Sequence, residues 1–191
     1  MDNKCLYGTH GTCRTFADSI VQNQKFNLGH GRHGYGVYLW QSHSADNWTL
    51  AEKLAMTYAK HISHRFKKEK DASICCLKCT LSVPENRFYD LVCHEHHSFF
   101  LSFLDTISTK LGQQELKKHE WTGIYNAFFS LIKKTLAAEN GVAEDIDVYF
   151  VLAEAPFIKE HKSLYTTTHK SAGCYVVRNN NVFTKIERSI T

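Results

Sequence analysis

The sequence predicts an α+β domain, and three observations carry that prediction. Strand-like segments gather at both ends of the chain, two long apolar helical stretches fill the middle, and no Ser/Gly-rich linker or repeat divides the 191 residues. Only two prolines occur, Pro84 and Pro156, so little punctuation interrupts the core. A chain of this length can bury one core, and the expectation is a single domain over 1–191 with a helical insertion at about 95–140.

The elements follow in order. Cys5–Thr9 reads as a first strand and Thr15–Gln24 as a helix with Phe16, Ile20 and Val21 on one side. The stretch Gly29 to Gly36 holds four glycines, Arg32 and two histidines, and reads as a loop with the backbone freedom to wrap a phosphate or a base. Val37–Trp40 is the second strand, and Ser44–Lys60 a helix for which Ser44 supplies the N-cap. Ile74–Val83 alternates: Cys75, Leu77, Cys79, Leu81 and Val83 share one face, and Cys76, Lys78 and Thr80 the other. Helices over His97–Leu111 and Trp121–Glu139 come next, separated by Gly112 and a charged segment, and Gly141 reads as a C-terminal cap. Asp147–Ala153, Cys174–Arg178 and Val182–Glu187 complete the strands, the last after an Asn179-Asn180-Asn181 turn.

Bulk properties narrow the function classes. Hydrophobic residues make up 43% and charged residues 22%, ordinary for a globular protein. No apolar run approaches the roughly 20 residues that span a bilayer, and Met1-Asp2-Asn3-Lys4-Cys5 lacks a signal-peptide design. Seven cysteines without framework spacing point to a reducing compartment, so a cytoplasmic location is expected. A formal charge of +4 with 12 histidines suits a polyanionic substrate without demanding one.

Chemistry concentrates near the start. An extended segment ends in His10-Gly11-Thr12, a helix and a glycine-rich stretch follow, and a strand then carries Tyr38. A nicotinamide clamp has these parts: an imidazole for a ribose hydroxyl, a glycine that lets backbone approach a carboxamide, and an aromatic ring for stacking. At these residues the chain resembles the ADP-ribosyltransferase superfamily, on its diphtheria-toxin and poly(ADP-ribose) polymerase side. His10-Gly11-Thr12 matches the first motif, with Ala17 and Ile20 where the following helix has them, and Gly36-Val37-Tyr38-Leu39 matches the second. Ser42 to Trp48 looks like the family's Ser-rich turn and helix. The resemblance covers 5–60 well and 163–188 moderately, and is absent between 95 and 140.

That resemblance implies a split, strongly bent β core with the cleft between two small sheets, and NAD as co-substrate with no metal. It implies that His10 holds the adenosine-side ribose, that Gly11 and Thr12 belong to the donor site, and that Gly11 pairs with the carboxamide. Tyr38 would form one aromatic wall with Trp48 or Tyr58 as the other, and Arg32 would meet the pyrophosphate. In the third motif the family commonly has a Glu opening a late strand, and Cys174 stands there in Ser171 to Arg178. Three readings stay open: a transferase that dispenses with the Glu, one that recruits Glu144 or Glu154, or a protein that merely binds NAD or ADP-ribose. The implied activity is mono-ADP-ribosyl transfer of toxin or antiphage-effector type to a macromolecule, with RNA or DNA slightly ahead of protein as acceptor. An antitoxin or chaperone partner would sit on an exposed apolar surface around Phe99, Phe100, Phe103 and Phe128.

Two further patterns carry chemistry. Lys60 to Lys70 is the densest basic run, a groove candidate for nucleic acid through Arg65, Lys67 and Lys68, with Phe66 for base stacking and Lys117-Lys118-His119 and Lys133-Lys134 adding charge. Cys76-x-x-Cys79 followed by Cys93-His94-Glu95-His96-His97 offers zinc ligand types, and with them a zinc-dependent nucleic-acid-binding alternative. One strand, however, would turn Cys76 and Cys79 to opposite faces.

Overall fold

Strand β1 (Asn3–Cys13) is the spine of the sheet: it pairs along its whole length with β4 (Ile74–Pro84), from Asn3↔Pro84 to Cys13↔Ile74. The computed structural model describes residues 2–111, 118–140, 144–156 and 171–190. After β1 come α1 (Arg14–Asn23), β2 (Gly29–Gly31), β3 (Gly34–Ser42) and α2 (Thr49–His61). Beyond β4 lie β5 (Phe88–Asp90), α3 (His94–Leu111), α4 (Lys118–Asn140), β6 (Val148–Glu154), β7 (Ser171–Val177) and β8 (Phe183–Arg188). The fold is α+β, with one open mixed sheet in the order β5-β6-β7-β3-β1-β4-β8 and β2 attached to β3; among the described residues β5–β6 is the parallel pair and the other pairs are antiparallel.

The sheet is two half-sheets held at a narrow seam. β1 and β3 share three residue pairs, Tyr7↔Ser42, Gly8↔Gln41 and Thr9↔Trp40. Beyond Thr9, β1 keeps only β4, while the start of β3 turns to β7 and β2. The two strands therefore part around an opening, which His10 and Gly11 line.

Both faces of the sheet are covered. On one, α2, α3 and α4 pack Leu54, Phe100, Phe128 and Phe129 against Trp40, Tyr149 and Val176. On the other, α1 contributes Ala17, which joins Leu39, Leu77, Cys79, Leu81, Val83 and Tyr175. Period two sorts β4 as its sequence predicts: Cys76 enters the first cluster, and Leu77, Cys79, Leu81 and Val83 the second. Among the described residues, no helix is long and apolar enough to cross a membrane.

Several expectations need correction. The first strand does not end at Thr9; pairing with β4 carries it through His-Gly-Thr to Cys13. The second long helix starts at Thr49 rather than Ser44, because Ser42 Oγ donates to the carbonyls of Ser44 and Asn47 and folds 44–47 into a turn. The glycine-rich stretch is a β-hairpin, with Gly29↔Gly36 and Gly31↔Gly34 paired around Arg32-His33. Gly34 and Gly36 have φ of +111° and +153°, where a Cβ is disfavoured, so the glycines shape a turn rather than a mobile loop. Phe16 is half exposed and meets Phe66 edge-on, so Ala17 instead anchors α1. Phe128 is fully buried and Phe100 nearly so, hence the apolar surface expected there is mostly core; Phe99 alone of the four is exposed. Gly112 and the proposed cap Gly141 lie outside the described residues.

Candidate functional site

The opening beside the seam is a cavity of about 730 Å3, within the range of small-molecule sites. β1 contributes His10 and Gly11, β3 contributes Tyr38 and Trp40, and the hairpin adds Gly31, Arg32 and His33. Tyr58 and Ile62 come from α2 and the residue after it, Arg65 from the short 3-10 turn Ser63–Phe66, and Trp121 from α4. Ala153 and Glu154 of β6 and Cys174 of β7 complete the wall.

His10 bridges the two half-sheets. Its Nδ1 lies 3.0 Å from the Tyr38 carbonyl oxygen; a carbonyl can only accept, so Nδ1 carries the proton. Phe26 packs edge-on at 5.2 Å and fixes the ring plane. Burial holds the imidazole pKa below its usual value, so the ring is neutral at physiological pH and Nε2 is a hydrogen-bond acceptor.

Tyr38 offers the cavity a ring rather than a hydroxyl. Its Oη accepts from the His33 N–H at 2.9 Å and donates to the Gly34 carbonyl at 3.0 Å. Burial pushes the phenol pKa up, so it stays protonated. Gly31 lies against it so closely that a Cβ would meet the ring at 2.5 Å. Tyr58, 43% exposed, stands edge-on to Trp40 at 6.3 Å and is available as a second aromatic surface.

His33 ties the hairpin to α4 and β6. Its Nδ1 lies 3.1 Å from Tyr125 Oη, and its carbonyl accepts from the Tyr149 hydroxyl. Burial, with the neighbouring Arg32 guanidinium second, pulls its pKa from 6.5 to about 4. A lowered histidine pKa means that the unfolded chain binds a proton the native state refuses. Stability from His33 is therefore complete above about pH 6.5 and is lost progressively as pH falls toward 4, by at most about 3 kcal/mol. His33→Gln should flatten that part of the pH–stability curve measured by denaturant titration. An unchanged slope would place His33 in water.

Cys174 lies mid-strand in β7, paired with Trp40 and Val151, rather than opening the strand, because Ser171–Gly173 already pair with β6. It is 2% exposed, and burial pushes its thiol up to about 12, so no charge sits there. The carboxylate at this cavity is Glu154, at the end of β6, with Oε2 3.4 Å from Arg32 Nη1. Glu144 bonds Asn86 and does not line the cavity.

Other expected site residues fall elsewhere. Trp48 packs on Tyr7 and under Lys78, its indole donating to the Ala45 carbonyl, because helix α2 begins after it and turns it off the cavity. Thr12 is buried and does not reach the cavity. Of the basic run Arg65 lines it, while Lys67 and Lys68 do not; Phe66 is buried against Cys13 and Ala59 and is not free to stack on a base. Lys133 pairs with Asp145 at 2.7 Å. Lys117 and the side chains of Lys118 and His119 lie outside the described residues. Cys76 and Cys79 belong to cores on opposite faces of the sheet and cannot share an ion, and His96 stacks on Tyr89 at 3.9 Å. Among the described residues no group of three metal-ligand side chains forms.

Sequence reasoning missed Trp40, His33 and Trp121. Trp40 was findable, since two residues past Tyr38 on one strand means the same face. Trp121 carries no signal, because what brings it to the site is the packing of α4 on β3. Comparison with protein-family models, curated proteins and solved structures gives no match.

Proposed function

We propose that the chain is an NAD-dependent ADP-ribosyltransferase acting on a macromolecule. The observation that carries this reading is that His10, Gly11, Arg32, Tyr38, Tyr58 and Cys174, drawn from separate motifs along the sequence, line one cavity. His10 Nε2 accepts from a ribose hydroxyl, and the backbone at Gly11 pairs with the carboxamide. Tyr38 and Tyr58 give aromatic surface to the nicotinamide, and Arg32 meets the pyrophosphate.

The chemistry fits such a lining. The bond between the ribose C1′ and the nicotinamide nitrogen breaks, its electron pair leaves with neutral nicotinamide, and C1′ gains oxocarbenium character. Holding the dinucleotide bent and excluding water does most of the work, so a neutral cavity wall at Cys174 is tolerable. A second reading, a non-catalytic NAD or ADP-ribose binding module, is favoured by the same uncharged Cys174.

Isotopically labelled NAD incubated with the protein and separate RNA, DNA and protein pools tests both. Label entering one pool is the expected result. NAD binding with no label in any pool would leave the binding module, and no binding would overturn both readings. His10→Gln should lower transfer at least about tenfold, about 1.4 kcal/mol, with the fold intact by circular dichroism. Undiminished transfer would mean that the imidazole does not touch the donor.

A further inference from the structure

A second cavity of about 370 Å3 adjoins the first, and the two share Arg32, His33, Trp121 and Glu154. The Arg32–Glu154 pair stands on that shared boundary. Among the described residues Glu154 is the sole carboxylate lining either cavity, and the second is otherwise walled by Trp121, Tyr125, Leu152 and Ser171. Tyr125 is no base, with burial pushing its phenol up to about 12, and His33 is engaged by it.

The pair is built to exchange. Its side chains are 54% and 79% exposed and its N–O distance is 3.4 Å, so water competes well for both partners. A guanidinium binds phosphate oxygens in a bidentate fork, and a pyrophosphate brings two negative charges where Glu154 brings one.

We infer that Arg32 and Glu154 form a latch worked by the donor. In the empty protein Arg32 holds the carboxylate; the pyrophosphate of NAD draws Arg32 toward the larger cavity and leaves Glu154 free at the mouth of the second, where the acceptor enters. The inference rests on the transferase reading above. As the acceptor's heteroatom bonds to C1′ and nicotinamide leaves with its electron pair, the proton on that heteroatom passes to the Glu154 carboxylate. Glu154 thereby supplies the charge that Cys174 lacks, from a neighbouring strand. Donor binding precedes acceptor activation, which limits NAD turnover without an acceptor.

The test is a double-mutant cycle on NAD affinity, by calorimetry, joined to label transfer at saturating NAD. Arg32→Gln should weaken NAD binding about tenfold. Glu154→Gln should tighten it about threefold, the worth of an exposed ion pair, while lowering the transfer rate about 100-fold. In the Arg32→Gln background the Glu154→Gln tightening should vanish. Tightening of the same size in that background overturns the latch and reduces Glu154 to general repulsion. Unchanged transfer by Glu154→Gln removes it as the base. If the unaltered protein does not bind NAD, the latch and the transferase reading fall together; binding without coupling removes the latch alone.

Discussion

Phe128→Ala should lower the unfolding free energy by about 3–5 kcal/mol, the range for truncating a fully buried phenylalanine. The ring sits among Phe100 at 4.9 Å, Phe103 and Phe129 at 5.3 Å, Phe99 at 5.6 Å and Tyr89 at 5.8 Å. These neighbours come from α3, α4 and β5, so the cavity left behind has walls on three elements and cannot close by a side-chain shift. Phe99→Ala, at a half-exposed position, should cost well under half as much. Denaturant unfolding of the two variants measures the difference. Equal, small losses would make α3 and α4 a loose appendage instead of a layer on the sheet. Function should follow stability here, because α4 also carries Trp121 and the Tyr125 that holds His33.

The legibility of this chain divides by physical cause. Local periodicity is written in the sequence, and the alternation of β4 sorts its side chains onto two cores as its residues predict. Turn chemistry was readable only in part: the glycines at 34 and 36 signal positive φ, yet nothing local says that Gly29–Gly31 folds back and pairs. The strand runs past Thr9 to Cys13 because that continuation depends on β4, more than 60 residues away in sequence. Trp48 was misplaced for a related reason, since three backbone and hydroxyl contacts of Ser42 and Asn47 delay the helix by one turn. His10 and Tyr38 lie on strands, where spacing fixes side-chain direction, and both line the cavity; Arg32 lies in the hairpin turn, so its place there depends on the pairing of β2 with β3. The Arg32–Glu154 contact and the second cavity were not, since they join segments 122 residues apart.

Gly11→Ala should be at least as damaging as the loss of Phe128, and for the opposite reason. A Cβ at Gly11 would lie 1.9 Å from the Ala55 carbonyl oxygen and 2.9 Å from Ala59 Cβ. No rotamer relieves contact with a backbone atom. β1 is paired with β4 on one side, and α2 is tied down by the Thr9 hydroxyl donating to the Ala51 carbonyl at 2.7 Å. Either the helix lifts or the strand bends; overpacking typically costs about 1–3 kcal/mol, and a clash with a backbone carbonyl lies at or above the top of that range. The helix yields more easily, and with it go Tyr58 and Ile62 at the cavity wall. The sequence holds the matching signal: Ala51, Ala55 and Ala59 recur every four residues and are all buried, a smooth stripe cut for a glycine. Two controls separate this from a general intolerance of side chains. Gly29→Ala, with nothing within 4 Å of its Cβ, should leave stability within about 0.5 kcal/mol. Ala55→Gly should not rescue Gly11→Ala, because the obstacle is the carbonyl of residue 55 and not its methyl group; rescue would show that α2 lies farther from β1 than described.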